Sequence, residues 1–299
     1  MKSFKLFTTL SILLILLSCG NREGDYDATG SFEATEIIVS SQANGRILEL
    51  NINEGDQLQM GQMVGYIDST QLYLQKMSLL SNAKGVIAQQ PDINAQTAAL
   101  KDQINTLKRE KERVERLVAA NAANQKQLDD IVSELEIVES KLSAQTSTLQ
   151  KSSAHISAQS STLEIQVAQL NDQLEKTQIV SPISGTVLNR FAESGELATM
   201  GTPLFKIANM GEIFLRAYVT NNQLAQIKLN DEVTVSVDDG AGNMKSYTGT
   251  ISWISSKSEF TPKTIQTKNE RANLVYALKI AVQNDGFLKI GMYGEVKFK

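Results

Sequence analysis

Residues 45–68, GRILELNINEGDQLQMGQMVGYID, align without a gap on residues 185–208, GTVLNRFAESGELATMGTPLFKIA. Gly45 falls on Gly185, Leu48 on Leu188, Gly55 on Gly195, Met60 on Met200, Gly61 on Gly201 and Ile67 on Ile207, so turn and core residues recur at the same intervals. Self-similarity of this kind marks a repeated structural unit. Each copy reads as strand, turn, short strand. Gly55 and Gly195 stand beside acidic residues at tight turns, and the alternation of Leu48, Leu50 and Ile52 points one face inward. Half a sheet cannot bury that face alone, so the two copies are expected to close on each other as one small β-sandwich.

The segment between the copies has a different period. Leu72, Leu79, Val86, Ile93, Leu100, Leu107 and Val114 are spaced by seven, and so are Leu128, Leu135, Leu142, Leu149, Ile156, Leu163 and Leu170. A seven-residue apolar period is that of a left-handed coiled coil. The interruption AANAAN at 119–124 makes the insert two antiparallel arms joined at a short tip. An arm of about 50 residues at a rise of roughly 1.5 Å spans about 75 Å, more than a domain needs for its own packing. Such a projection reaches for a partner. Gly85 and Pro91 lie in the first arm, where they cost about 1 and 3 kcal/mol in a helix interior. Antiparallel pairing sets them against the Ser-rich stretch 152–161, SSAHISAQSS. The expectation is a break or kink near 85–91 and a loosened segment across from it, or else packing of this part against neighbouring protomers.

Composition sets the outer bounds. A chain of 299 residues, 41% hydrophobic and 21% charged, is too polar for an integral membrane protein and long enough for two or three small domains. Its formal net charge is −4, with Lys and Arg scattered, so the basic stripe that neutralises nucleic-acid phosphates is missing. The single cysteine, Cys19, excludes a disulfide within the chain. It follows an apolar run from Leu10 to Leu17 preceded by Lys2 and Lys5, which is the layout of an export signal and too short to span a membrane. Leu16-Leu17-Ser18-Cys19 resembles the lipobox of bacterial lipoproteins. That implies cleavage before Cys19, a lipid on its thiol and an anchor that spans nothing. Residues 1–18 are thus read as a lipoprotein signal peptide and residues 19–30 as a flexible tether.

Split at its hairpin, the repeat resembles the biotinyl/lipoyl-type domain of the HlyD-type periplasmic adaptor (membrane fusion protein) family. Ile179-Val180-Ser181-Pro182-Ile183-Ser184-Gly185, which opens the second half, is similar to that family's most recognisable stretch. The resemblance implies an elongated α+β chain: residues 31–70 and 178–208 as the split lipoyl-like sandwich, residues 71–177 as the coiled-coil hairpin, and residues 209–299 as a β-barrel. The last expectation also rests on apolar strands at Ile213–Val219, Glu232–Val237, Tyr247–Ile254, Leu274–Val282 and Tyr293–Phe298, with a short helix near Asn222–Ile227. Phe260-Thr261-Pro262 and the following residues to Arg271 resemble adaptors that serve ABC-type exporters.

The family's function is mechanical. By resemblance, the chain joins an inner-membrane transporter, an ABC permease in preference to a proton-driven pump, to a TolC-like outer-membrane channel. It would do so in the periplasm, anchored through Cys19 with the inner membrane as first expectation, and as a trimer or hexamer when assembled. Adaptors that engage TolC-like channels carry Arg, then Leu four residues on, then Ser seven further, at the hairpin turn. Arg113 and Leu117 match, and Asn124 stands where Ser is expected. Asn keeps a small polar side chain that can cap the second helix. The alternative is a lipid-anchored envelope scaffold or binding lipoprotein, which has no need of split lipoyl-type halves.

No catalytic, cofactor or metal site is expected. Lys76 and Lys206 are the lysines nearest the split, and neither lies in the setting of a biotin- or lipoyl-bearing lysine. His155 is the one histidine, in the Ser-rich part of the second arm, with no companion for a metal. Glu134, Glu136 and Glu139 read as solvated helix charge, and no phosphate loop or nucleophile elbow occurs.

Overall fold

The computed structural model describes residues 26–240, 242–260 and 274–298. After a first strand, β1 (Ala28–Glu33), the leading half of the repeat supplies β2 (Glu36–Ser40), β3 (Gly45–Leu50), β4 (Gln57–Leu58) and β5 (Met63–Ile67). The trailing half supplies β6 (Gln178–Val180), β7 (Gly185–Arg190), β8 (Leu197–Ala198) and β9 (Pro203–Ala208). One sheet runs β2-β9-β7-β4 and the other β6-β5-β3-β8, so each sheet takes two strands from each half.

The backbone bonds are reciprocal. Gly55 N donates to Val187 O at 2.9 Å, and Gly195 N, 140 residues later, donates to Ile47 O at 2.7 Å. Gly61 N donates to Ser181 O and Gly201 N to Ser41 O, both at 2.8 Å. Ser41 and Ser181 are themselves equivalent, which extends the repeat four residues upstream of its detectable sequence identity. The core is equally paired. Ile47 and Val187, Leu58 and Ala198, Val64 and Leu204, and Ile67 and Ile207 are all buried in one cluster.

Leu48 departs from the expected inward row: it is exposed, while Ile47 and Leu50 are buried. The register of β3 against β5 shifts between Ile47 and Glu49, and that of β7 against β9 shifts between Val187 and Asn189. An extra residue in one strand reverses the inward phase. The irregularity recurs in both halves.

Between β5 and β6 runs the hairpin: α1 (Thr70–Ile87), α2 (Ile93–Ala119) and α3 (Gln125–Glu175). The first arm is broken at residues 88–92, with Gly85 still helical and Pro91 in the break. Asp92 restarts the helix, its Oδ1 accepting from Ala95 N at 3.0 Å, and Gln90 Nε2 bridges the arms by donating to Ser153 Oγ at 3.0 Å. The opposite arm is not loosened. α3 carries neither Gly nor Pro and runs unbroken for 51 residues, its Thr148 and Thr162 hydroxyls bonding back to carbonyls four residues earlier. Nearer the tip, Ile104, Leu135 and Val138 are buried, flanked by Leu100, Leu107 and Leu142.

The remaining strands are β10 (Glu212–Thr220), β11 (Glu232–Asp238), β12 (Met244–Phe260), β13 (Leu274–Gln283) and β14 (Tyr293–Phe298), with the short helix α4 (Asn221–Leu224) after β10. They close into a barrel in the order β1-β10-β13-β12-β11-β14. Residues 28–33 therefore belong neither to a tether nor to the sandwich, contrary to the boundary expected at residue 30. Without β1 the facing edges of β10 and β14 would be unpaired, and Phe32, buried in the barrel core, supplies the apolar anchor. Residues 1–25 lie outside the described residues, and with them the signal peptide and most of the tether.

A Cβ on Gly185 would lie 2.4 Å from the Ala208 carbonyl oxygen. Gly185→Ala is expected to cost about 1–3 kcal/mol by overpacking, against under about 0.5 kcal/mol for the exposed Met200→Ala. Urea unfolding of the two variants measures both.

Candidate functional site

The hairpin tip is where the expected partner residues lie, and its shape follows from two asparagines. Asn121 takes φ of 55°, the left-handed region that Asn tolerates better than most side chains. There Ala122 N donates to Leu117 O at 2.8 Å and Asn121 N to Val118 O at 2.9 Å, the pairing that stops a helix with its last carbonyls satisfied. Three residues on, Asn124 Oδ1 accepts from Gln127 N at 2.9 Å and starts α3. One asparagine ends the outgoing arm and the other begins the returning one, which fixes a turn of five residues between α2 and α3. Asn121 escaped the sequence reading, although an Asn after two alanines at the end of a heptad run is a stop signal.

Arg113 and Leu117, four apart on α2, share one side of the helix. Val114 is buried in the seam, while Leu117 remains 37% exposed at the tip. Arg113 is exposed and paired within its own helix: its Nε donates to Glu110 Oε2 at 3.0 Å, and its second nitrogen pairs with the other carboxylate oxygen. That bond holds the Glu110 carboxyl below its ordinary range and raises the Arg113 guanidinium further. The tip thus offers an apolar side chain, a guanidinium whose intrahelical partner is solvent-exposed and replaceable, and the amide of Asn124, whose oxygen is already committed to the cap. These groups can dock a surface; they hold no acid–base pair.

Elsewhere the expected residues stand apart. His155 is exposed on α3, and Lys206 Nζ pairs with Glu36 at 2.8 Å on the sandwich surface. Among the described residues no group of three His, Cys, Asp or Glu could hold a metal, and no helix is long and apolar enough to cross a membrane. A cleft of about 900 Å³ separates sandwich from barrel, lined by Gln57, Gln59, Ser184, Thr186, Asn209 and Asn284 among others. Its amides and hydroxyls offer hydrogen bonds and no nucleophile with a base. Cys19 and residues 261–271, which carry the ABC-exporter resemblance, lie outside the described residues.

Residues 35–209 match the family model described as RND MFP, barrel-sandwich hybrid domain. The UPF0194 membrane protein YbhG of Salmonella arizonae is 28% identical over 293 residues, covering 90% of this chain and 87% of that one. A UPF0194 membrane protein of Acidithiobacillus ferridurans, from the asrC 5' region, is 26% identical over 284 residues, covering 88% and 83%. The fold is that of MacA from Actinobacillus actinomycetemcomitans (TM-score 0.51, 21% identity, 90% of this chain and 76% of that chain). It is also that of the membrane fusion protein Spr0693 from Streptococcus pneumoniae R6 (TM-score 0.51, 19% identity, 91% and 97%).

Removing the cap oxygen by Asn124→Ala is expected to cost about 1 kcal/mol locally, whereas Asn124→Ser or Asn124→Asp retains most of it. Hydrogen exchange of the first turn of α3 should accelerate in the Ala variant alone.

Proposed function

The chain belongs to the RND MFP barrel-sandwich hybrid family, a family of adaptors rather than enzymes, and we propose that it is the periplasmic adaptor of a tripartite efflux or secretion system. The observation that carries this reading is the arrangement along one chain: a sandwich from which a long hairpin and a barrel leave at equivalent points of the two repeat halves. The hairpin follows β5 and precedes β6; the barrel strands follow β9 and precede β2. A module built in this way bridges two partners.

In this reading the tip residues Arg113, Leu117 and Asn124 meet a TolC-like outer-membrane channel, and the barrel meets an inner-membrane transporter of ABC type. A lipid on Cys19 holds the chain to the inner membrane. Asp27 supports that polarity. Its N donates to Val296 O at 2.8 Å and its carboxylate accepts from Phe298 N at 2.8 Å, at the barrel end where β14 finishes, away from the sandwich. Eight residues beyond it, Cys19 can be no further away than about 30 Å at roughly 3.3–3.6 Å per residue. A lipid there tethers the barrel, rather than the hairpin, close to the bilayer. Copies assemble side by side, as a trimer or hexamer, and substrate passes through them without chemical change.

The test is photocrosslinking in cells from a reactive residue at Leu117, with the same probe at His155, also exposed but on the shaft of α3. Capture of an outer-membrane channel from the tip alone is the expected result, and co-purification of an ATP-binding subunit would place the transporter in the ABC class. Equal capture from both positions, or of other envelope proteins only, would replace the adaptor reading with that of a scaffold.

A further inference from the structure

Helix α1 carries two neighbouring apolar rows at heptad spacing, and the hairpin uses only one. Leu72, Lys76, Leu79, Ala83 and Val86 face α3 and are partly or fully buried. One residue on, about 100° round the helix, run Tyr73, Met77, Leu80, Lys84 and Ile87. Of these, Tyr73 is 54% exposed, and Met77 and Ile87 are 48% exposed. The outward row is as apolar as the inner one, each having four apolar residues and one Lys, Lys84 and Lys76 respectively. An apolar row at heptad spacing is a surface that another helix covers. The opposite face of the same part of the hairpin is a groove between Gln75 and Ser78 on one side and Gln166, Gln169 and Gln173 on the other, with Leu79 and Leu170 also lining it. Leu74, 54% exposed, stands outside both rows.

The chain also carries a surface that fits this row. On the side of α3 turned away from α1, Ala158, Ser161, Ile165, Ala168 and Asp172 are all exposed, Ile165 by 62%. Read in opposite directions, the two rows share the same spacing of four, three, four, three. Laid antiparallel with Leu80 on Ile165, Met77 meets Ala168 and Ile87 meets Ala158, large against small, as interdigitating layers require. Tyr73 meets Asp172, whose Oδ2 pairs with Lys176 of the same helix at 2.7 Å and whose other oxygen is placed to accept a phenol hydroxyl. Lys84 meets Ser161, with Glu164 beside it. Neither Lys84 nor Glu164 has an ion-pair partner among the described residues of its own chain. Size and charge are both complementary. The two rows lie on different sides of one hairpin and cannot meet within a single chain.

We propose that the outward row of α1 on one copy of this chain packs antiparallel against the outer row of α3 on a second copy, with Leu80 against Ile165 and Lys84 beside Glu164. The contact joins two different surfaces, so it repeats from copy to copy rather than closing as a symmetric pair. It rests on the adaptor reading only for the presence of several copies, and it names the surface through which they meet.

The test uses two differently tagged full-length chains, one with Leu80→Cys and the other with Ile165→Cys, mixed and oxidised. A disulfide needs Cα atoms within about 7 Å, so it reports the register directly. A cross-linked species carrying both tags is expected, well above the level given by Ser78→Cys mixed with Gln169→Cys in the groove. In sedimentation, Lys84→Glu should weaken self-association and the added Glu164→Lys should restore it. Lys84, Glu164 and Ile165 are exposed and Leu80 is partly buried, so the charge swap leaves the hairpin seam untouched and tests the contact independently of the Leu80→Cys change. A mixed-tag species no more abundant than that of the groove pair, Leu80→Cys joining only to itself, or no restoration by the charge swap would each overturn the proposal. None of these outcomes bears on channel capture from Leu117, so the two readings fail separately.

Discussion

Neither half of the repeat can complete a sheet without the other. That constraint organises everything else in the molecule. Because β2 and β4 need β9 and β7, and β6 and β8 need β5 and β3, the two halves must come together although the hairpin separates them by about a hundred residues. The equivalence also decides where the attachments go. The hairpin and the barrel occupy corresponding positions of a two-fold repeat, so one emerges where the first half ends and the other where the second half ends. Ile67 N donates to Thr177 O at 2.9 Å and clamps the root of the hairpin, and Asn284 Nδ2 donates to Met210 O at 2.8 Å and clamps the root of the barrel. A bridge between two partners follows from a duplicated half-sandwich with an insertion at one seam.

The parts differ in how they are stabilised. Sandwich and barrel each enclose a contiguous core of buried Ile, Leu, Val and Phe. The hairpin has a single seam, buried at few positions, with Thr97 and Ser160 among its polar members. Its helices therefore depend on their ends as much as on their middle: the root clamp on the sandwich, Asp92 at the restart of the first arm, and Asn121 with Asn124 at the tip. A two-helix layer buries only one side of each helix, and the apolar side chains left outside on α1 and α3 are the consequence.

The sequence revealed what depends on periodicity. Glycines at equivalent turns gave the repeat, and leucines every seventh residue gave both arms and the tip between them. Features that depend on a register or a distant neighbour stayed hidden. Strict alternation put Leu48 inside, but one irregular residue in β3 gave that place to Ile47, and such a shift leaves no mark on composition. The boundary expected at residue 30 cuts β1 in two, between tether and sandwich, yet Gly30 is required within the strand: a Cβ would lie 2.1 Å from Arg216 O of the neighbouring strand. The break at residues 88–92 was announced by Pro91, whereas the continuity of α3 through a run of serines was not, since helix propensity is a weak signal beside a long partner helix. At the tip, the spacing of Arg113, Leu117 and Asn124 was legible, but the engagement of Asn124 in a cap and of Arg113 with Glu110 needed coordinates.

Native-state hydrogen exchange across the sandwich, followed at low denaturant by NMR, tests the interlock most directly. The amides of Gly55, Gly61 and Ile47 from the first half and of Gly195, Gly201 and Val187 from the second bond to one another's strands. They should open with one shared free energy and one denaturant dependence, as a single cooperative unit. Separate free energies, with one half staying protected after the other has exchanged, would contradict the account that the two halves exist as a sheet pair only together.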